Sequence, residues 1–310
     1  MAGTFTHWMV AEEALGKYDR LSQKHHYFPT ILFRKHFVCV GASGPDYPYL
    51  TDILLGKHSW ADRMHYENTG DFICNGIRNL HGLNGEAFNT CLAWLCGFAT
   101  HLVTDSVIHP VVQAIVGPYI FNQTDHRHCE LTQDTFIFHE IKGLEIEYAT
   151  YADLFRMCSD PPNASDKINA NLKEFWFKTL KDTHPGATDK QVSNIDPDSW
   201  HKNFLSRISS AEDPIAIFRP IAEDEKLAYK KTAEITSGEW QRFVKQVNLP
   251  GKKTGEFKKN AFDYTVNKVI ETWDRLFVDI ENDNPDGPAL YIKNWNLDTG
   301  VNEDNPYFWT

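Results

Sequence analysis

The stretch that decides the fold reads Ala87-Phe88-Asn89-Thr90-Cys91-Leu92-Ala93-Trp94-Leu95-Cys96-Gly97-Phe98-Ala99-Thr100-His101-Leu102-Val103-Thr104-Asp105-Ser106-Val107-Ile108-His109. It is the longest apolar segment of the chain, and Pro110, which follows it, disfavours helical geometry at His109. A helix is therefore predicted over 87–109. His101, Asp105 and His109 recur within it at four-residue steps. Residues four apart share one helical face, so the three polar groups form a single stripe. Burying that stripe is costly unless each group is paired or coordinated. A metal ion meets that cost directly; a buried hydrogen-bond network is the alternative this string alone leaves open.

The same helical texture extends in both directions. Thr6 precedes Trp8, Val10, Ala11, Ala14 and Leu15, with Glu12 and Glu13 in the early turns, which predicts a helix starting at Thr6. Residues 47–55 run from a Pro-rich turn into an apolar stretch, 68–80 read as a short helix, and 124–151 carry helix formers. Residues 181–200 are polar with few apolar anchors and read as a long loop. Two amphipathic helices are expected beyond it, over about 223–247 and 256–281. The second sets Phe262, Val266, Val269, Ile270, Trp273 and Phe277 on one face. Alternating β-type runs are rare, and there is no internal repeat. The expected fold class is all-α. A metal-binding catalytic core is expected over 1–158, with a helical C-terminal part over 159–310 packed on the same domain. The tail ends in Pro306-Tyr307-Phe308-Trp309, either as a staple in a surface groove or as a lid or anchor at the mouth of a cleft.

A second string strengthens the metal reading. His126, Glu130 and Asp134 again follow one another at one-turn steps. His126 and Glu130 form a chelating pair, and Asp134 is placed to orient one of the ligands. With His109 they make a His, His and Glu set that leaves a position open for water, as catalytic zinc requires. His128 points away from His126 and reads as a surface histidine. His7 near the start of the first helix and Asp46 in the turn Gly44-Pro45-Asp46-Tyr47 are further donors, weak singly and stronger in this company.

Composition narrows the partners. The 310 residues carry a formal net charge of −11, which argues against a polyanion held by charge alone and so against nucleic acid. An acidic protein can still act on phosphate esters when metal ions supply the positive charge locally. The six cysteines show no CxxC pairing and are expected to be reduced thiols. No secretory signal is recognisable after Met1, and no stretch is expected to span a membrane. The expectation is a cytoplasmic protein, or one exported without a cleaved N-terminal signal.

Taken together, Thr6-His7, Gly44-Pro45-Asp46, HxxxDxxxHP at 101–110 and HxxxExxxD at 126–134 resemble the zinc-dependent phospholipase C family. The resemblance covers about the first half of the chain. It implies an all-helical domain with a cleft holding two or three zinc ions. By that resemblance Asp46, His65, His101 and Asp105 hold the first ion, and His109, His126 and Glu130 hold the second. Asp105 bridges to the third, alongside His7. His58 is the alternative to His65; His65 is preferred because it runs into the helix from Asn68. Asp46 takes the role of general base. A phospholipid is the implied substrate, with diacylglycerol and a phosphorylated head group as products and peripheral contact with a membrane. The chain departs from the secreted members, whose N-terminal Trp completes the third site, because six residues precede His7.

Two other readings stay open on sequence. Single-strand zinc nucleases share the fold and much of the ligand set. A non-catalytic, zinc-stabilised interaction protein would instead show closed coordination shells. Nothing in the sequence speaks to oligomeric state.

Overall fold

In the computed structural model, which describes residues 3–52, 59–211, 229–301 and 308–309, the fold is all-α. The first helix, α1 (Thr4–Asp19), begins before Thr6. Thr6 is not its cap: the hydroxyl donates to the Asp134 carboxylate at 2.7 Å. Next come α2 (Phe28–Phe33) and α3 (Lys35–Gly41), a 3-10 turn at Gly44–Asp46, then α4 (Tyr47–Asp52), α5 (Ser59–Tyr66) and α6 (Thr69–Leu80). The long α7 (Gly85–Val116) is followed by α8 (Gln123–Lys142), which Gly143 ends in the left-handed region at φ 67°. Beyond lie α9 (Tyr151–Arg156), α10 (Ala170–Thr183), α11 (Asp189–Val192), α12 (Pro197–Ala211), α13 (Ser237–Trp240) and α14 (Asp263–Glu281).

α7 is the axis of the core. Every residue from Thr90 to Val112 is buried, and α1, α3, α6, α8, α10 and α14 all pack on it. A helix that is apolar all round belongs inside a protein, because no face is left for water. By length and composition it could also cross a membrane, contrary to the sequence expectation, but its apolar window is wholly buried within the protein. The closest approach is to α3. A Cβ on Gly97 would lie 2.1 Å from the Val38 carbonyl oxygen, and one on Gly41 would lie 2.1 Å from that of Trp94. Only glycine at both positions lets these backbones meet. That contact brings the end of α3, and the turn carrying Asp46, against the middle of α7.

α7 does not stop at Pro110, as the sequence suggested; it continues to Val116 with the proline inside. Proline removes the N–H that would bond the Ser106 carbonyl. The fault is covered from the far end of the sequence. Gly300, at φ 66°, sits so near that a Cβ there would be 2.5 Å from the Ser106 oxygen. The Trp309 indole N–H donates to the Val107 carbonyl at 2.9 Å, and its ring stacks on Tyr264. The tail, through Phe308 and Trp309, is a staple on α7 and α14; Tyr307 lies outside the described residues.

The second half differs from expectation in two places. The polar stretch 181–200 is not one long loop: α10 runs into it, α11 lies within it, and α12 starts at Pro197. Thr188 opens α11 with a capping box completed by Gln191. The helix expected over 223–247 is not continuous. Residues 223–228 lie outside the described residues, and beyond them Ile235 is extended while Thr236 and Glu239 form a capping box that starts α13 afresh. A π-helical turn, Gln241–Lys245, leads into a small antiparallel hairpin, β1 (Val247–Leu249) with β2 (Lys253–Gly255). The helix expected over 256–281 is present as a π-helical turn followed by α14, and Trp273 donates to the Cys96 carbonyl of α7 at 3.0 Å. All six cysteines are free and buried, as expected of thiols in a packed core.

Candidate metal centre

Five separate parts of the fold meet at one point. α7 carries His101, Asp105 and His109 on one stripe, α1 brings His7, the turn after α3 brings Asp46, α5 brings His65, and the segment after α14 brings Asp298. His7, Asp46, His65, His101, Asp105 and His109 are all buried. His58 lies outside the described residues, and His65 is the histidine seen in the cluster.

The tautomers decide what the cluster can be. His101 Nδ1 donates to the Ala42 carbonyl at 2.9 Å, and His65 Nδ1 donates to the Ala61 carbonyl at 2.8 Å. A carbonyl can only accept, so in each neutral ring the proton is on Nδ1 and Nε2 is bare. The two bare Nε2 atoms face one another at 3.4 Å. Asp46 Oδ1 lies 3.2 Å from that of His65, and Asp105 Oδ2 lies 3.2 Å from that of His101 and 3.7 Å from that of His65. Two donor atoms of one tetrahedral zinc ion stand about 3.4 Å apart, given bonds near 2.1 Å. These lone pairs converge at that spacing with no proton between the two nitrogens.

Asp105 serves a second direction with its other oxygen. Oδ1 lies 3.2 Å from His7 Nε2 and 3.3 Å from His109 Nε2. The His7 and His101 rings stack at 4.2 Å, so the two sets are layered on either side of this carboxylate. Both His7 ring nitrogens and His109 Nε2 are buried without a hydrogen bond. Burial alone would push the Asp105 carboxyl up and the His109 imidazole down. Facing each other they go the opposite way: the charge of His109, joined by His101 and His7 where those rings carry a second proton in place of a metal, holds Asp105 well below the carboxylate range, and Asp105 and Asp298 lift His109 to about 9. The protein thus calls for positive charge here, and a divalent ion supplies it while displacing protons.

A second histidine cluster shows the contrast. His25, His26 and Glu281 also approach one another. There the Tyr27 N–H donates to His25 Nδ1, which puts the proton on Nε2, and Nε2 donates to Glu281 at 3.1 Å. That group is satisfied by its own hydrogen bonds, whereas in the buried one both His7 ring nitrogens and His109 Nε2 have none.

A family model described as zinc dependent phospholipase C matches residues 6–186. The chain belongs to the zinc-dependent phospholipase C family. Searches of curated proteins and of solved structures return no match. The family's zinc dependence agrees with the buried donor set, and the matched segment contains every residue from His7 to Glu130 that the sequence marked.

For this zinc-dependent phospholipase C family member, the remaining expectations divide. His126 and Glu130 are buried on α8 but do not close with His109 into one tight group of donor atoms. His126 Nε2 donates to the Gly117 carbonyl at 2.6 Å, which leaves Nδ1 bare and buried. Arg127 stands 3.6 Å from Glu130. His128, expected at the surface, is half-buried and paired with Glu239 at 2.5 Å.

Asp134, marked by the sequence as orienting one of the ligands, acts on α1 and not on its own helix. It accepts from the backbone N–H groups of Phe5 and Thr6 at 3.1 and 2.7 Å, from the Thr6 hydroxyl and from Tyr229. A carboxylate at a helix N-terminus is favoured by the exposed N–H groups and the helix dipole, so Asp134 fixes the start of α1 one residue before His7. Burial lifts its carboxyl to about 6 against those hydrogen bonds. Asp298 acts on His109. Its carboxylate lies 3.4 Å from His109 Nδ1 and accepts from the Tyr66 hydroxyl at 2.9 Å, and His109 and Tyr66 help hold it well below the usual range against its burial. Sequence reading missed Asp298 because it stands alone in a turn-rich segment with no ligand one helical turn away.

Proposed function

We propose that the protein is a zinc-dependent phospholipase C that hydrolyses glycerophospholipids to diacylglycerol and a phosphorylated head group. The observation that carries this reading is the pair of bare Nε2 atoms of His65 and His101, 3.4 Å apart between the carboxylates of Asp46 and Asp105. Family membership supports the phosphodiesterase class. Asp46, His65, His101 and Asp105 would hold one zinc ion, and the other oxygen of Asp105, with His7 Nε2 3.2 Å from it, would begin a second site. Bound zinc would neutralise phosphodiester oxygens and lower the pKa of water at the site.

The chain's own groups supply the rest. Burial favours the neutral form of Asp46 and positive charge at His101 and His65 opposes it; zinc held at their bare Nε2 atoms would supply that charge in the loaded protein. Asp46 is then the group to orient the attacking water and take its proton. A bond forms from the water oxygen to phosphorus, the bond from phosphorus to the glycerol oxygen breaks, and that oxygen takes up a proton as diacylglycerol leaves. Asp298 and Asp134 keep His109 and His7 in place.

The test is hydrolysis of phosphatidylcholine, phosphatidylinositol and single-stranded DNA by the purified protein, with zinc and with a chelator. Zinc-dependent release of diacylglycerol supports the proposal. Cleavage of the DNA alone would replace it with a nuclease, and bound zinc with no turnover of any substrate would replace it with a structural role.

A further inference from the structure

Tyr119, Ile120 and Phe121 form a 3-10 turn between α7 and α8, and they are 43 %, 74 % and 81 % exposed. Among the described residues, no other three consecutive large apolar side chains stand in water. The turn is held by its own backbone: Phe121 N–H donates to the Pro118 carbonyl at 3.2 Å and Asn122 N–H to that of Tyr119 at 3.0 Å, while the Asn122 side chain donates back to Pro118 at 3.0 Å. The three rings and chains are presented on a fixed support.

Its position gives the exposure a use. The Tyr119 ring meets His126 edge to face at 5.3 Å. Glu130 and Asp298 lie near enough for their charges to reach the Tyr119 ring, which places the turn beside the carboxylate that meets His109 Nδ1 at 3.4 Å. Tyr66, 40 % exposed, is bonded to the same carboxylate. Ile120 and Phe121 rise from the turn into solvent.

We infer that the Tyr119–Phe121 turn is a wedge that seats the metal centre on a phospholipid bilayer, an inference that rests on the phospholipase reading of the site. Exposed apolar side chains next to water are costly, and the boundary between head groups and acyl chains removes that cost. A tyrosine just behind the apolar tip is favoured at head-group level, with its ring apolar and its hydroxyl wet. The net charge of −11 gives no general attraction to anionic lipid, so the surface this wedge fits is a zwitterionic one.

The test compares the zinc-loaded wild type with Ile120→Ser/Phe121→Ser and with Ile120→Trp, by flotation with phosphatidylcholine vesicles. Activity is followed on the same vesicles and on a short-chain phosphatidylcholine below its micellar concentration. The double serine variant should bind vesicles roughly tenfold to hundredfold more weakly, as expected for two apolar side chains left in water. Its turnover of vesicles should fall in step, its turnover of the monomeric lipid should stay within about twofold, and Ile120→Trp should bind vesicles more tightly. Equal vesicle binding by wild type and the serine variant overturns the wedge while leaving the hydrolase reading intact. A wild type that ignores vesicles but forms a dimer lost in the serine variant also overturns it, and assigns the turn to a second copy of the chain. Absence of turnover on both lipids sinks the phospholipase reading, with flotation still deciding whether the turn meets a membrane.

Discussion

His65 and His101 point bare Nε2 atoms at each other across 3.4 Å, each ring pinned by an Nδ1 hydrogen bond to a backbone carbonyl, Ala61 for one and Ala42 for the other. Neither ring can turn its proton inward without abandoning a buried carbonyl. A cation between them resolves both the facing lone pairs and the two nearby carboxylates.

Asp105 offers one oxygen to His101 and His65 and the other to His7 and His109, so its loss should be felt on both sides. Asp105→Asn should remove more than one equivalent of zinc and cut activity by more than roughly 100-fold, the upper end for losing only an orienting partner. Elemental analysis of wild type and variant tests this. A wild type with one tightly held ion, or a variant missing just one of several, would contradict the bridging role.

Asp298→Asn should act more mildly. It keeps a side chain of the same shape beside His109 Nδ1 but removes the charge. Zinc affinity should weaken by about 10–100-fold, with the folded state retained. Competition with a chromophoric chelator measures it, and unchanged affinity would leave Asp298 as a partner of Tyr66 alone.

Gly97→Ala should disturb the frame behind the site. The added Cβ would overlap the Val38 carbonyl and press α3 away from α7. A cost of about 2 kcal/mol or more is expected for such overpacking. Because Ala42, which orients His101, lies just past α3, zinc affinity should fall along with stability. Denaturant unfolding and zinc titration on one preparation check both; a stable variant with normal zinc binding would refute the close-packing account.

Acid should destabilise the fold through two buried histidines that are not among the metal donors. Burial holds His201 down to about 4, and burial, then Arg63, does the same for His184. Their folded values lie below the ordinary 6.5, so the unfolded chain takes up protons first. Their contribution is complete above about pH 6.5 and is lost as pH falls toward 4. His201→Gln should flatten the loss across that window by an amount on the order of 2 kcal/mol. Urea midpoints from pH 7 to 4, at matched free zinc, provide the check, and parallel curves for the two proteins would rule it out.

Trp309→Ala should lower stability by about 1–3 kcal/mol, from a lost aromatic contact and the lost bond to Val107. As a staple, it should change activity on vesicles and on soluble lipid equally. A selective loss on vesicles would restore a role at the lipid surface.

The legible parts of the fold are those with local period. The one-turn spacing of His101, Asp105 and His109 and the apolar face of α14 need no partner to be read. The extent of α7 was not legible, because Pro110 is tolerated only where Gly300 and Trp309 cover the fault, and neither is near in sequence. The partners of Asp134 were not legible for the same reason: its contacts on α1 are set by packing. The hairpin after α13 was missed although Pro250-Gly251, a turn-forming pair, lies between its strands. Asp298 carries no local signal.

The assembly of the site from His7 to Asp298 also sets an order of events. Its parts have high sequence separation, and such contacts form late because loop closure must come first. The groups that would hold the ion stand in place only when α1, α3, α5 and α7 are docked on one another. Zinc uptake would therefore report that these helices have packed together, and a chain in which they stand apart would present scattered histidines instead of a trap for metal.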